Sequence, residues 1–522
     1  LNSNSNLFIP SIDAMNRPIP GNSSAYMIGI SPATAGMSGG RSPHHYQGQI
    51  GSPEVGDGSA ARTLQSAGAF GLNTASADIV IDNGSSTVTI QNTSGDAAVV
   101  LSKNITAAGE NALNINSTGN ITVAGIDLYN ATSGGALTMN VDSNDGAAGV
   151  ITVNGNWEVG QIDINGGTTA NSFDVTGAYT LTSKAGGIEI ADGGDIDLVL
   201  SGSGVTAVIT NDDATSPDVV LGNVDGDNNG AGNEASLTVN STGNITIGTV
   251  DLWDSGTGGG TLTANFDTDG GEVETLTLGS LIVGGLSLSG NGDETYTSTG
   301  ALATKASGSN ISLSNFGTVT FQDDVTSAGG LSISDVTSVV LDTDTKGGNI
   351  TLTASSGDIA INTNIGAITA SDNNNGHDVI FVTSGGNGDI SLFGFDGDDA
   401  TNGTDADLTL NAGGSSGVVS VGAISDTGTV TVTQSGGVTF SDTLGAATLA
   451  ITDTADSQTV SLAGNVNLTS GLTTANGGSD NYNVSLTGAS NSIAGATTFA
   501  QGGTLTLGDG TGDSTDFAGG LV

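Results

Sequence analysis

Eighteen residues of this chain are written almost twice. Leu113–Asn130 reads LNINSTGNITVAGIDLYN and Leu237–Asp254 reads LTVNSTGNITIGTVDLWD, identical at ten of eighteen positions with an offset of 124. The correspondence continues on both sides. LTMNVDSN at Leu137 answers LTANFDTD at Leu262, VGQIDINGG at Val159 answers VGGLSLSGN at Val283, and LTSKAGG at Leu181 answers LATKASG at Leu302. A looser third copy, GDISLFGFDGDDATNGTDADLTLN at Gly388–Asn411, keeps the same order and sets Asp396 where the earlier copies have Asp127 and Asp251. Repetition on this scale belongs to arrays, in which neighbouring units bury what one unit cannot bury alone.

Inside each unit the text alternates apolar and polar residues in runs of four to six, separated by Gly, Asn, Asp and Ser; STVTIQN and ALTMNV are examples. A period of two is the signature of a strand with one buried face. No segment has sustained helical periodicity with capping signals. Two all-β architectures accommodate the pattern: a right-handed parallel β-helix, or β-solenoid, and a string of tandem β-sandwich domains. The solenoid is preferred. Sandwiches call for linkers between units and a large aromatic in each core. A narrow solenoid interior is filled by stacked Val, Ile, Leu, Ala and Thr, with Gly, Asn and Asp at its corners. At about 22 residues per coil, with adjacent strands about 4.8 Å apart, the region from Ala77 to Val522 makes about twenty coils.

Residues 1–76 differ from the remainder. They hold six of the seven prolines and all three arginines, and they read as an extended arm or irregular cap. Solenoid repeats are expected near 77–196 and 197–315, a degenerate copy over 316–440, and further coils over 441–522.

Charge narrows the function. Seven Lys and Arg stand against 53 Asp and Glu, a formal net charge of -46. A chain this anionic has no basic surface for phosphate, so nucleic acid is not an expected partner. With no cysteine a disulfide framework is excluded. No apolar run is long enough to span a bilayer as a helix. The start at Leu1 reads as a removed leader, and absent Cys with few Lys and Arg points to the cell surface or the extracellular medium.

GGNITLTASSGDIAINTNIGAITAS at Gly347–Ser371, with its G-x-I-x-L-x-A and G-x-I-x-I units, resembles filamentous-haemagglutinin-type surface adhesins and other large β-strand-repeat exoproteins. The resemblance implies a right-handed parallel β-helix, export and a role at the cell surface. It supplies no catalytic residue, and the secretion module of those proteins is not recognisable in residues 1–76.

Among candidate sites, Asp225-Gly-Asp227-Asn-Asn229-Gly230 matches the first half of a calcium loop, in which alternate side chains present oxygens and Gly makes the sharp turn. The closing Glu is absent. Asp267 with Asp269, and Asp396 with Asp398, form similar acidic turns. Calcium is the expected ligand, since hard oxygen donors select it; the alternative is a solvated turn using the same residues. Trp157, Trp253 and Tyr129 read either as sugar-stacking platforms or as caps on strand ends. Catalysis is not expected: Asp is too abundant to single out a pair, and Arg is absent after Arg62.

The function expected from the sequence is a structural extracellular protein. It polymerises head to tail into a filament, sheath or surface layer, using open solenoid ends and an N-terminal arm whose Arg17, Arg41 and Arg62 meet an acidic neighbour. The alternative is a β-helical cell-surface adhesin that contacts cations, glycans or a neighbouring cell.

Overall fold

A computed structural model describes residues 54–55, 62–66, 69–72, 78–81 and 86–522, apart from 94, 108–109, 131–133, 145, 169, 192–195, 202–203, 227–234, 254–258, 267–272, 364–365, 367, 372–375, 386, 398–404, 415 and 477–480. Most of its strands are short, the longest being Val419–Gln434 of 16 residues, and every strand pairing with a described register is parallel. The parallel β-solenoid is therefore the fold, and the sandwich alternative fails, since sandwiches are built from antiparallel sheets. The chain divides into two units, one of residues up to Asp254 with Asn265–Asp269, the other of Ser255–Ala264 with Gly270–Val522.

In the first unit each coil contributes one strand to each of three ladders. The first ladder runs through Ile79–Ile81, Ile105–Ala107, Ile126–Asp127, Trp157–Val159, Thr180–Ser183 and Thr206–Asn211 to Ser236–Asn240. The second runs from Arg62–Ser66 through Val88–Asn92, Leu113–Asn116, Ala136–Asn140, Gln161–Asn165, Ile188–Ile190 and Val219–Leu221 to Ile245–Ile247. The third starts at Phe70–Leu72 and includes Ile121–Val123, Asn171–Val175 and Val250–Asp251. Glu54–Val55, Arg62–Ser66 and Phe70–Leu72 already belong to these ladders, so the boundary expected at residue 76 falls inside the solenoid. Residues 1–53 lie outside the described residues.

Alternation explains the core. Inward positions stack one coil above another, as in Val88, Leu113, Leu137, Ile162, Ile188, Val219 and Ile245, all buried. Each such side chain contributes about 1.5–3 kcal/mol on leaving water. Trp157 takes the same kind of inward place and meets Phe173 edge to face, ring centroids 5.5 Å apart. Coils are larger here than expected: Leu113, Leu137, Ile162, Ile188 and Val219 follow at steps of 24, 25, 26 and 31 residues. The extra residues lie in corner loops, which lengthen without disturbing the ladder.

The second unit is likewise built of stacked parallel strands. Val419, Val438, Val460, Val484 and Leu505 form one inner column at steps of 19, 22, 24 and 21 residues. One helical turn, Thr343–Lys346, interrupts the strands. Asp342 caps it by accepting the Thr345 N–H at 2.9 Å, and Gly347 ends it in the left-handed region at φ 68°.

Asn and Asp have a recurring task at the position just before a strand. The side-chain oxygen of Asn104 accepts the Gly125 N–H at 3.1 Å, Asn120 the Val150 N–H at 3.0 Å and Asn156 the Thr180 N–H at 2.9 Å. In the second unit Asp358 accepts the Asp389 N–H at 2.8 Å and Asp389 the Val418 N–H at 2.7 Å. Each donor sits one coil on, at the equivalent position. The side chain thus satisfies a backbone N–H at the corner, where the ladder has not yet begun. The triplets Gly119-Asn120-Ile121, Gly357-Asp358-Ile359 and Gly388-Asp389-Ile390 are this device, and part of the acidity follows from it.

Candidate functional site: acidic turns and outer faces

The sequence repeat does not reproduce whole coils. In the first copy Leu113–Asn116 belongs to the second ladder and Ile121–Val123 to the third; in the second copy Ser236–Asn240 belongs to the first ladder and Ile245–Ile247 to the second. The copies are related by a shift of one face. What repeats is the corner. Ser117 and Ser241 are both fully buried, and their Oγ atoms accept the N–H of Gly119 at 3.3 Å and of Gly243 at 3.1 Å. Below Ser117, Asn92 donates to the Ala97 carbonyl at 2.6 Å and accepts the Thr118 N–H at 2.7 Å. Asn211 donates likewise to the Pro217 carbonyl, and the Thr242 hydroxyl donates to the Asp213 carbonyl at 2.6 Å. Gly is required, since a Cβ on Gly119 would lie 2.8 Å from the Asp96 carbonyl carbon and one on Gly243 2.3 Å from the Ser216 oxygen.

Asp127 and Asp251, equivalent by sequence, end strands on different ladders. Asp127 accepts the Tyr129 N–H at 3.2 Å and Asp251 the Trp253 N–H at 3.1 Å, which are turn-forming bonds. Tyr129 and Trp253 follow them as half-buried side chains, whereas Trp157 is buried and its indole N–H reaches the Ala124 carbonyl at 3.2 Å. The platform reading is therefore excluded for Trp157.

Of the expected metal ligands, Asp225 and Asp396 are described; Asp227, Asn229, Asp267, Asp269 and Asp398 lie outside the described residues. Asp225 closes the strand Val224–Asp225, exposed, in register with Asp251 one coil on. Asp396 closes Ile390–Asp396, half-buried, in register with Thr369 and Ser425. Among the described residues no three His, Cys, Asp or Glu side chains gather as a metal would require. Two outward carboxylates, Asp225 and Asp251, are the oxygen donors that the described part of the Asp225 turn brings side by side. Of the assembly arginines, Arg62 begins a strand opposite Val88; Arg17 and Arg41 lie outside the described residues.

The outer faces are uncharged over long stretches. In the second unit Thr275, Thr295 and Thr318 form one column, Thr277, Thr297 and Thr320 the next, and Ser287, Ser312 and Ser332 stand in register on another ladder. Two lysines sit in ion pairs. Lys184 meets Asp212 at 2.5 Å, which raises its pKa, and Lys346 bridges Asp324 at 2.5 Å and Asp323 at 3.2 Å.

Comparison with protein-family models, with curated proteins and with solved structures gives no match to this chain. The fold by itself defines the class: a parallel β-solenoid repeat protein. The repeat architecture is consistent with β-helical repeat proteins, and no family match supports a haemagglutinin-type identity. No helix among the described residues is long and apolar enough to cross a membrane.

Proposed function

We propose that this chain is a structural protein of the cell exterior that builds a filament, sheath or surface layer by stacking of solenoids. The observation that supports the reading is the repetition itself: coil after coil repeats the same parallel ladder, with apolar residues such as Leu276, Tyr296 and Val319 stacked inward and uncharged columns such as Thr275, Thr295 and Thr318 outward. Such a body serves as a building element, and a head-to-tail contact between solenoids does not close on itself.

Electron microscopy of the purified chain over a range of concentrations tests the proposal. Fibres or an ordered sheet are expected. A monodisperse particle at every concentration contradicts it, and a monodisperse particle that binds glycans or cells would favour the adhesin.

A further inference from the structure

Beside the inner column that includes Val419 and Val438 stands an outer one. It starts at Ser287 and runs in register through Ser312 and Ser332, past Ser391 and Ser420, to Thr506, and every position carries a hydroxyl except Ala360. These side chains are half-buried or exposed, and none of the hydroxyls has a partner within the chain among the described residues. No ionisable residue interrupts the column. Its positions are about 4.8 Å apart, the spacing of adjacent strands.

Two apolar side chains border the column where it passes Ser391 and Ser420. Phe393, two residues beyond Ser391 on the same face of its strand, is 49% exposed, and Val418, two residues before Ser420, is 39% exposed. Leu392 pairs with Val421 and Gly394 with Ala423, so Phe393 falls opposite Gly422 one coil on. Gly422 has no side chain to cover the ring and no room for one, since a Cβ there would run into the Phe393 carbonyl oxygen. An aromatic ring therefore stands open beside a track of hydroxyls.

Charge selects the occupant. Asp358 and Asp389 lie at the corner before these strands, and Asp396 ends Ile390–Asp396 on the other side. In a chain at -46 they repel a polyanion, and a second copy laid face to face would bring its own aspartates against them. The face suits a neutral polymer rich in hydroxyls. A pyranose offers its C–H face to an aromatic ring and its hydroxyls to serine and threonine. Successive sugars of an extended β-linked chain advance by nearly one coil spacing, so one register serves many sugars.

We propose that this face binds a neutral, extended, β-linked polysaccharide, with Phe393 as the stacking platform and the hydroxyl column from Ser287 to Thr506 as the track along which it lies. The site falls within the second unit and does not rest on assembly.

The test is retention of the full chain on insoluble cellulose, chitin and β-mannan at low and high salt, with the acidic polymers heparin and polygalacturonate as controls. Retention on at least one neutral polymer is expected, insensitive to salt, with none on the acidic ones. Phe393→Ala should weaken it about tenfold. Ser420→Asp, which sets a charge in the track, should weaken it too. Both side chains lie outside the core, so the variants should melt near the wild type. Failure on every neutral polymer, retention on the acidic ones, or a Phe393→Ala that binds as well as the wild type overturns the proposal. So does a Phe393→Ala that alters assembly and not retention, which would give the face to a second copy. Should Ser420→Asp fail to fold, Phe393→Ala decides alone. Sedimentation of the same samples reports on assembly separately, so either reading falls without the other.

Discussion

Ser117 and Ser241 make the same buried corner on different faces of one solenoid unit. Each Oγ accepts the N–H of a glycine two residues on, yet the strand before Ser117 lies in the second ladder and the strand before Ser241 in the first. The inherited element is thus a strand with its corner, and any face accommodates it. Three similar ladders per coil make that exchange tolerable, because each face presents the same alternation to the interior.

If the corner is the unit, Asn92→Ala and Asn211→Ala should have matching costs despite lying on different ladders. Each removes the amide that bonds a corner carbonyl, for Ala97 and Pro217 respectively. Each should cost about 1–3 kcal/mol by leaving a buried partner unsatisfied. Equilibrium denaturation measures both, and a cost at only one site would show that the two corners are not alike.

Glycine is a steric requirement at Gly160 and Gly284. A Cβ on Gly160 would lie 2.2 Å from the Gly134 carbonyl oxygen, and one on Gly284 2.1 Å from that of Gly259. In both places the second glycine of a pair one coil earlier accepts a bond: Gly160 N–H donates to the Gly135 carbonyl at 2.9 Å, and Gly284 N–H to the Gly260 carbonyl at 2.7 Å. Gly160→Ala and Gly284→Ala should each lose about 1–3 kcal/mol, whereas Gly71→Ala, whose nearest contact is 3.8 Å, should stay within about 0.5 kcal/mol of the wild type. Thermal melting of the three variants is sufficient.

The pre-strand aspartates are expected to act through an oxygen and not through charge. Asp358→Asn and Asp389→Asn keep the acceptor for the N–H one coil on and reduce the repulsion of a chain at -46. Stability should be unchanged or raised at low salt, with the gain shrinking as salt screens it. Asp358→Ala should instead cost about 0.5–1.5 kcal/mol at any salt.

Asp174 offers a separate test of pH. Burial raises its pKa above the ordinary aspartate value, with the Ser172 bond opposing weakly. A raised folded pKa gives stability that is complete below the unfolded value, near 3.9, and is lost as pH rises through the folded one. Asp174→Asn should therefore match the wild type near pH 3 and melt higher than it at pH 7. A lower melting point at pH 7 would show that the carboxylate is favourably held.

For the acidic turns, a chelator at low salt should lower the melting temperature if calcium occupies them, and Asp225→Ala with Asp227→Ala should remove part of that change. An unchanged transition assigns the turns to backbone capping, the task Asp127 and Asp251 already perform.

Much of the ladder architecture was legible in the sequence, because strand alternation and corner residues such as the Gly-Asn-Ile triplets are local patterns. The shift between repeat copies was not. An offset of 124 has no fixed meaning in coils when consecutive steps run 24, 25, 26 and 31 residues. Trp157 was misread in one of its alternatives because a period-two pattern does not say which ring an interior has room for; Phe173 on the next ladder supplies the partner.

The central claim is that this repetitive solenoid is a structural protein that assembles. The most direct measurement is sedimentation velocity, with electron microscopy, on the purified chain over a range of concentrations. The account predicts concentration-dependent assembly and fibres with a repeat near 4.8 Å along their axis, or an ordered sheet. A chain that stays monomeric at all concentrations would contradict it.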